Sequence, residues 1–172
     1  MKIQAPVVLF IAAAGFPFTC TAQTGTVTFY SYALTVKQQF ASAAKPIGGK
    51  GSFTGWLYDG KQRMAHASRG RFMSFQLPAG EHDFSASYRS KQPGSTPLHL
   101  VIEAGKHYCV RLTAKILTPQ IVPIVLLDGK IEAPSCTQAF EEAGKYRRID
   151  LKRVDPAAQP ELDNSLSFPR EN

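Results

Sequence analysis

The sequence predicts an all-β domain, a sandwich or small barrel of seven or eight short strands with one short helix near the C-terminus. Short runs rich in β-branched and aromatic residues follow one another closely from Thr24 onward, and turn signals separate them. No stretch among them carries a sizeable helical period. Together these features mean two packed sheets or a closed small sheet.

Thr24–Tyr32 (TGTVTFYSY) has the composition of a strand. Residues 36–52, small and polar with four Gly or Pro, read as a long surface loop. Its GGKGS end lacks the spacing of a phosphate-binding loop, because Ala44 stands where the first Gly is needed and Gly51 where Ser or Thr is needed. Asp59-Gly60 then separates FTGWLY from KQRMAHA, a two-residue hairpin signal. Ser68-Arg69-Gly70 leads into RFMSFQL. Pro78-Ala79-Gly80 fits a type I turn before EHDFSASY. KQPGSTP breaks the chain before LHLVIE, and Ala104-Gly105 precedes KHYCVRLTAKI. Thr118-Pro119 precedes IVPIVLL, and Asp128-Gly129 reads as one more turn. The helix is expected over 136–144, with Thr137 as cap and Gly144 as stop. YRRIDLKRV reads as a last extended segment, and residues 154–172 as a disordered tail.

The N-terminus carries one Lys before an apolar run from Val7 to Phe16, about half of what a spanning helix needs. Cys20 and Ala22 occupy the −3 and −1 positions of a cut before Gln23, so residues 1–22 are expected to be a signal peptide. The rival is lipidation at Cys20, although Pro17, Phe18 and Thr19 fit a lipoprotein signal poorly. Either way the expected location is outside the cytoplasm: periplasmic or secreted, or lipid-anchored to the outer membrane. The 150 residues from Gln23 onward, 23–153 with the tail, make one domain. The chain has a formal charge of +7, and Lys2 is the leader's only charge. A positive surface in that compartment is ordinary solubility or an affinity for anionic envelope polymers and lipids; nucleic acid is not expected.

Cys109 and Cys136 remain after the leader is removed. In an oxidising compartment an isolated pair is most economically a disulfide, contributing about 3.5 kcal/mol in the chain-entropy treatment. Two free thiols or an intermolecular bridge are the alternatives.

Three titratable residues, Glu81, His82 and Asp83, stand in a row that invites an acid/base interpretation. Strand alternation argues against it. His82, Phe84, Ala86 and Tyr88 share one face, whereas Glu81, Asp83, Ser85 and Ser87 share the other. His82 is therefore expected as a half-buried rim residue that neither neighbouring carboxylate reaches. On 98–112, Leu98, Leu100 and Ile102 form one apolar stripe, and Tyr108, Val110 and Leu112 another. A hairpin with a three-residue loop, Glu103 to Gly105, would align them and set His99 opposite Cys109, beside His107. Two His and a Cys suggest a metal, but with Cys109 assigned to a disulfide and no fourth ligand evident, no metal and no cofactor are expected.

No Gly-x-Ser-x-Gly elbow, Cys-x-x-Cys or flagged carboxylate pair is present. The chain is therefore expected to be a non-enzymatic binding or structural module of the envelope, with no catalytic residues. Trp56 and Tyr58, with the basic cluster Arg147, Arg148, Lys152 and Arg153, are the candidate surface contacts for an envelope protein, a glycan or an anionic surface. The alternative is a hydrolase whose base is His82, His66 or His107, assembled from distant strands.

The segments GTVTFYSY, GWLYDGKQRMAHASRGRFMSFQLPAGEHDFSASY and LHLVIEAGKHYCVRL, spanning about residues 25–113, resemble a bacterial family of exported proteins, many of them lipoproteins, known as domain of unknown function 2846. They are also similar to small PEGA-like sandwich repeats. Cys109 stands where that family's pattern has a second Tyr. The resemblance implies a transthyretin- or immunoglobulin-like sandwich and no catalytic residues.

Overall fold

A computed structural model of the chain describes residues 23–33, 50–89, 91–116 and 127–165. The expected signal peptide with Cys20, most of the 36–52 loop and the IVPIVLL segment up to residue 126 lie outside the described residues. The chain is an all-β sandwich with one short α-helix, as expected. Its strands are β1 (Thr24–Ser31), β2 (Lys50–Ser52), β3 (Gly55–Asp59), β4 (Gln62–Ala67), β5 (Arg71–Pro78), β6 (Gly80–Ser87), β7 (Leu98–Ile102), β8 (His107–Ile116), β9 (Leu127–Glu132) and β10 (Arg147–Arg148).

In the larger sheet β10, β5, β1 and β8 lie side by side. β1 runs parallel to β8 along 107–112, β2 continues the same edge along 113–115, and β9 pairs the opposite edge. The smaller sheet has the order β4-β3-β6-β7. Alternation supplies the core between them. Val27, Phe29, Met73, Phe75, Leu77, Val110 and Leu112 come from the larger sheet, and Leu57, Phe84 and Ile102 from the smaller. Phe29 is central: its ring meets Phe84 edge-on at 4.9 Å across the interface and Phe75 at 6.1 Å within its own sheet.

The outer face of the larger sheet is covered as well. Helix α1 (Cys136–Ala143) packs Ala139 and Ala143 onto Tyr30, Phe72 and Cys109. This explains why β1 is buried on both faces from Val27 to Ser31, hydroxyl residues included. Thr28 and Ser74 resolve their burial by bonding each other at 2.7 Å. The helix lies where expected, but Ser135 caps it rather than Thr137, accepting from Gln138 N at 3.2 Å.

Several sequence expectations change. Segments 98–102 and 107–116 do not form a hairpin: β7 pairs β6, β8 pairs β1, and residues 103–106 carry the chain from one sheet to the other. Both apolar stripes do face the core, but from opposite sides, an outcome that alternation alone cannot distinguish from a hairpin. His99 is consequently not opposite Cys109; its register partner is Asp83. Pro78-Ala79-Gly80 is likewise a sheet-switching corner, not a type I turn. β5 ends at Pro78 and β6 starts at Gly80, whose φ of +143° is open to glycine and hardly to other residues. At the Asp59 hairpin the two loop residues are Gly60 and Lys61, because Asp59 pairs with Gln62. Residues 50–52, expected at the end of a loop, form β2.

Asp128-Gly129 is no turn but part of β9. Gly129 is required there because a Cβ would lie 2.4 Å from the carbonyl oxygen of Ala86 on β6. Gly129→Ala should therefore destabilise the fold by about 1–3 kcal/mol, measured as a lowered urea midpoint. An unchanged midpoint would mean that β6 and β9 separate freely.

The C-terminal segment differs most. Only Arg147–Arg148 of the expected basic strand pairs with β5. Two 3-10 helices follow, Leu151–Arg153 and Pro156–Glu161. Among the described residues, the expected disordered tail is folded instead. Ile149, Val154, Ala158 and Leu162 enter the core, while Val154 bridges to Ala65 on β4 and Leu162 to Phe75 on β5. Residues 149–162 thus strap the open side of the sandwich between the β4 and β5 edges.

Candidate functional site: an aromatic and basic cleft

A β-bulge helps to build a concavity among the described residues. Leu57 pairs with Ala65 and Tyr58 with Arg63, so Met64 is the extra residue on β4. The bulge lets consecutive Met64 and Ala65 both be buried. It also brings Arg63 and His66, three apart, to the outer face beside Trp56. The Arg63 guanidinium lies 4.5 Å from the Trp56 ring centroid, and His66 meets the indole edge-on at 4.8 Å. The strap closes the other side. Trp56, Arg63, His66, Lys152, Arg153, Val154, Asp155 and Pro156 line a cleft of about 380 Å³.

Charge in the cleft is unbalanced. Asp155, its one carboxylate, holds Arg63 at 2.7 Å, and this partnership keeps the Asp155 carboxyl below its ordinary range. Arg153 donates to Ser68 Oγ at 2.7 Å and to His66 Nδ1 at 3.2 Å. Burial first, and then the Arg153 charge, hold the His66 imidazole below its ordinary value, so the ring serves as a neutral acceptor. Lys152 is exposed. Three fixed cations against one carboxylate leave a net positive cleft with an apolar floor of Trp56, Val154 and Pro156.

Of the surface residues expected from sequence, Trp56, Lys152 and Arg153 meet here and three others do not. Tyr58 is buried, with its hydroxyl donating to the Arg89 carbonyl at 3.0 Å. The chain after β6 folds back over this outer face, where Gly94 N also donates to Ser85 Oγ. Ser85 and Ser87, on the face that Glu81 and Asp83 share, are buried for the same reason. Arg147 and Arg148 sit at the edge of the larger sheet, where Arg148 donates to the Asn164 carbonyl and stacks near Phe72. Sequence reasoning missed Arg63, and named His66 only as one possible base of a hydrolase, not as a neighbour of Trp56. Their only signal was the pair of apolar residues between them, which breaks strict alternation.

No family model, curated protein or solved structure matches this chain. Its own residues therefore carry the functional interpretation.

The remaining histidines are engaged elsewhere. His82 is half-buried and stacks on Phe84 at 5.6 Å, on the face expected. A distant acid reaches it: Nδ1 meets Asp59 Oδ2 at 2.6 Å, while Nε2 meets the Pro78 carbonyl at 3.0 Å. Nearby Glu161 has its carboxyl raised by burial and by the Asp59 charge. His99 bonds Asp83 at 2.9 Å, which raises its imidazole above the ordinary value. His107 bonds Thr28 Oγ1 at 2.9 Å on the face beneath α1.

That face also holds the Cys109–Cys136 disulfide, with Cα atoms 5.2 Å apart. Arg111, two residues beyond Cys109, bridges Glu132 at 2.7 Å and Glu142 at 2.6 Å, and Tyr30 OH donates to Glu142 at 2.6 Å. These contacts pin α1 to the sheet. Burial lowers the His107 imidazole below its ordinary value of 6.5. The unfolded chain therefore binds that proton more readily than the folded one. The contribution of His107 is present above 6.5 and is lost as the pH falls from there through the folded value. His107→Gln should flatten the fall in urea stability between pH 7 and pH 5; an identical slope in both proteins would refute the assignment.

Proposed function

We propose that this protein is a non-enzymatic, exported β-sandwich module that binds an anionic glycan of the cell envelope in the Trp56 cleft. The carrying observation is that cleft, where a half-buried indole, an apolar floor and a surplus of cationic side chains converge. A volume near 380 Å³ lies at the lower end of small-ligand sites and suits one or two sugar rings rather than a protein interface. A uronic acid offers both a ring face for the indole and a carboxylate for Lys152 and Arg153. A bridged cysteine pair fits an oxidising compartment outside the cytoplasm.

The hydrolase alternative has less behind it. His82 has an orienting carboxylate in Asp59, but its other nitrogen faces a backbone carbonyl, leaving no position for a nucleophile or water. In the cleft, His66 bonds Arg153 and Asp155 bonds Arg63, so no described His–carboxylate pair operates there.

Trp56 is the single tryptophan, so its fluorescence reports the site directly. Titration with an oligogalacturonate should give a saturable change that weakens with added salt. Lys152→Ala/Arg153→Ala should weaken binding by about tenfold or more, as expected for charge-assisted contacts of 1.5–3 kcal/mol, and a neutral oligosaccharide should produce no change. Equal response to neutral and acidic sugars, or none to either, would reject this ligand class.

A further inference from the structure

Beneath α1 a second cluster stands apart from the cleft. His107 and Cys109 are two residues apart on β8 and so project from the same face. Cys136, the first residue of α1, comes down onto that face. One donor atom from each of His107, Cys109 and Cys136 lies within 4.8 Å of the others. The three elements that set this geometry are independent of the disulfide itself. β8 is paired on both edges, α1 is anchored through Glu142 to Arg111 and Tyr30, and Thr28 Oγ1 holds the His107 ring.

While the sulfurs are bonded to each other, the cluster offers no thiolate ligand. Reduction changes that. An external dithiol attacks Cys136, the more exposed sulfur; Cys109 leaves, and the second thiol of the reductant displaces Cys136. The dithiol is oxidised to its own disulfide, and the protein gains two electrons and two protons as two thiols. Metal binding then releases the two thiol protons to solvent.

We propose that the reduced protein binds one copper(I) ion through Cys109 Sγ, Cys136 Sγ and a ring nitrogen of His107, with the disulfide as the closed, metal-free state of the same site. Two thiolates and an imidazole form a soft donor set of the kind that selects copper(I). Three donors complete a copper(I) centre, whereas a closed zinc site takes four, and the described residues place no fourth His, Cys or carboxylate in this cluster. The resulting centre carries a net negative charge. The N-terminus of α1, whose first residue is Cys136, supplies partial positive charge beside it.

The full-length protein, reduced anaerobically with a phosphine and freed of reductant, is titrated with copper(I) held by bathocuproine disulfonate. The reduced protein is expected to withdraw one copper(I) per chain and to show thiolate-to-copper charge-transfer absorption, while the oxidised protein withdraws none. Zinc(II) with a chromogenic chelator is the second arm and should bind at least tenfold more weakly. His107→Ala should still show two titratable thiols after reduction, yet bind copper(I) at least about tenfold less tightly, the lower bound for disturbing even an outer-shell partner. Near-ultraviolet dichroism of the reduced protein should be retained before metal is added. Failure to compete for copper(I), equal affinity in His107→Ala, preference for zinc, or loss of tertiary dichroism on reduction would each overturn the proposal.

Discussion

A chain truncated after Val154 is expected to unfold roughly 10 °C below the full-length protein. The loss removes Ala158, fully buried, and Leu162, 9% exposed, from the core, together with the Leu162 bridge to Phe75. It also removes the hydrogen bond from Asp155 N to the Met64 carbonyl, 2.7 Å long, which ties the strap to β4. Burial of a Leu and an Ala with their cavity term is worth about 3 kcal/mol, and the exposed Arg63–Asp155 pair adds only about 0–1 kcal/mol. For a domain of this size each kcal/mol moves the midpoint by about 2–4 °C. Leu162→Ala alone should retain the fold and lose about 2 kcal/mol or more, which separates the packing effect from chain length. A truncated protein with an unchanged midpoint would show that the strap merely lies on the surface. Because Asp155 and Pro156 also line the cleft, the same truncation should weaken the response of Trp56 to oligogalacturonate.

The second large effect is on the disulfide. Cys109→Ser/Cys136→Ser, or reduction of the native protein, should cost about 3.5 kcal/mol and again about 10 °C. The bridge spans 27 positions and joins the central strand β8 to the start of α1, so it restricts the unfolded chain while fixing the helix over Tyr30 and Phe72. Thermal scans with and without reductant read it, and the double variant should be insensitive to reductant. Equal midpoints under both conditions would remove the stabilising role. A loss of this size leaves the reduced fold populated at room temperature, as the copper(I) titration requires.

Alternation made much of the core legible. Phe84, Val110 and Leu112 lie on the faces that the period of two assigns, and His82 sits beside Phe84 away from Glu81 and Asp83. The cysteine pair was legible because two cysteines admit one intramolecular partner each. The candidate site was legible only in pieces. Trp56, Lys152 and Arg153 stood out by type, whereas Tyr58 was misplaced because nothing local to it signals that residues after β6 fold back over its face. Arg63 escaped notice, and His66 was not linked to Trp56, because a bulge is a pairing event between strands; neither strand alone shows it. The tail was misread from its Pro and Asn content, which outweighed the four-residue spacing of Val154, Ala158 and Leu162, a spacing that one helix face allows.

By itself, the sequence determined the strand-rich class, the short helix and the inward face of most strands, because these follow from side-chain chemistry and a local backbone period. Only the tertiary structure decided which sheet each strand joins, that the corners at Gly80 and 103–106 cross between sheets, and that the C-terminal segment closes the core. The physical reason is that burial rewards an apolar stripe equally whether its neighbour lies beside it or opposite it. Choosing between those arrangements takes the summed packing of residues far apart in the chain, and the same choice brings Trp56 to Arg153 and His107 to Cys136.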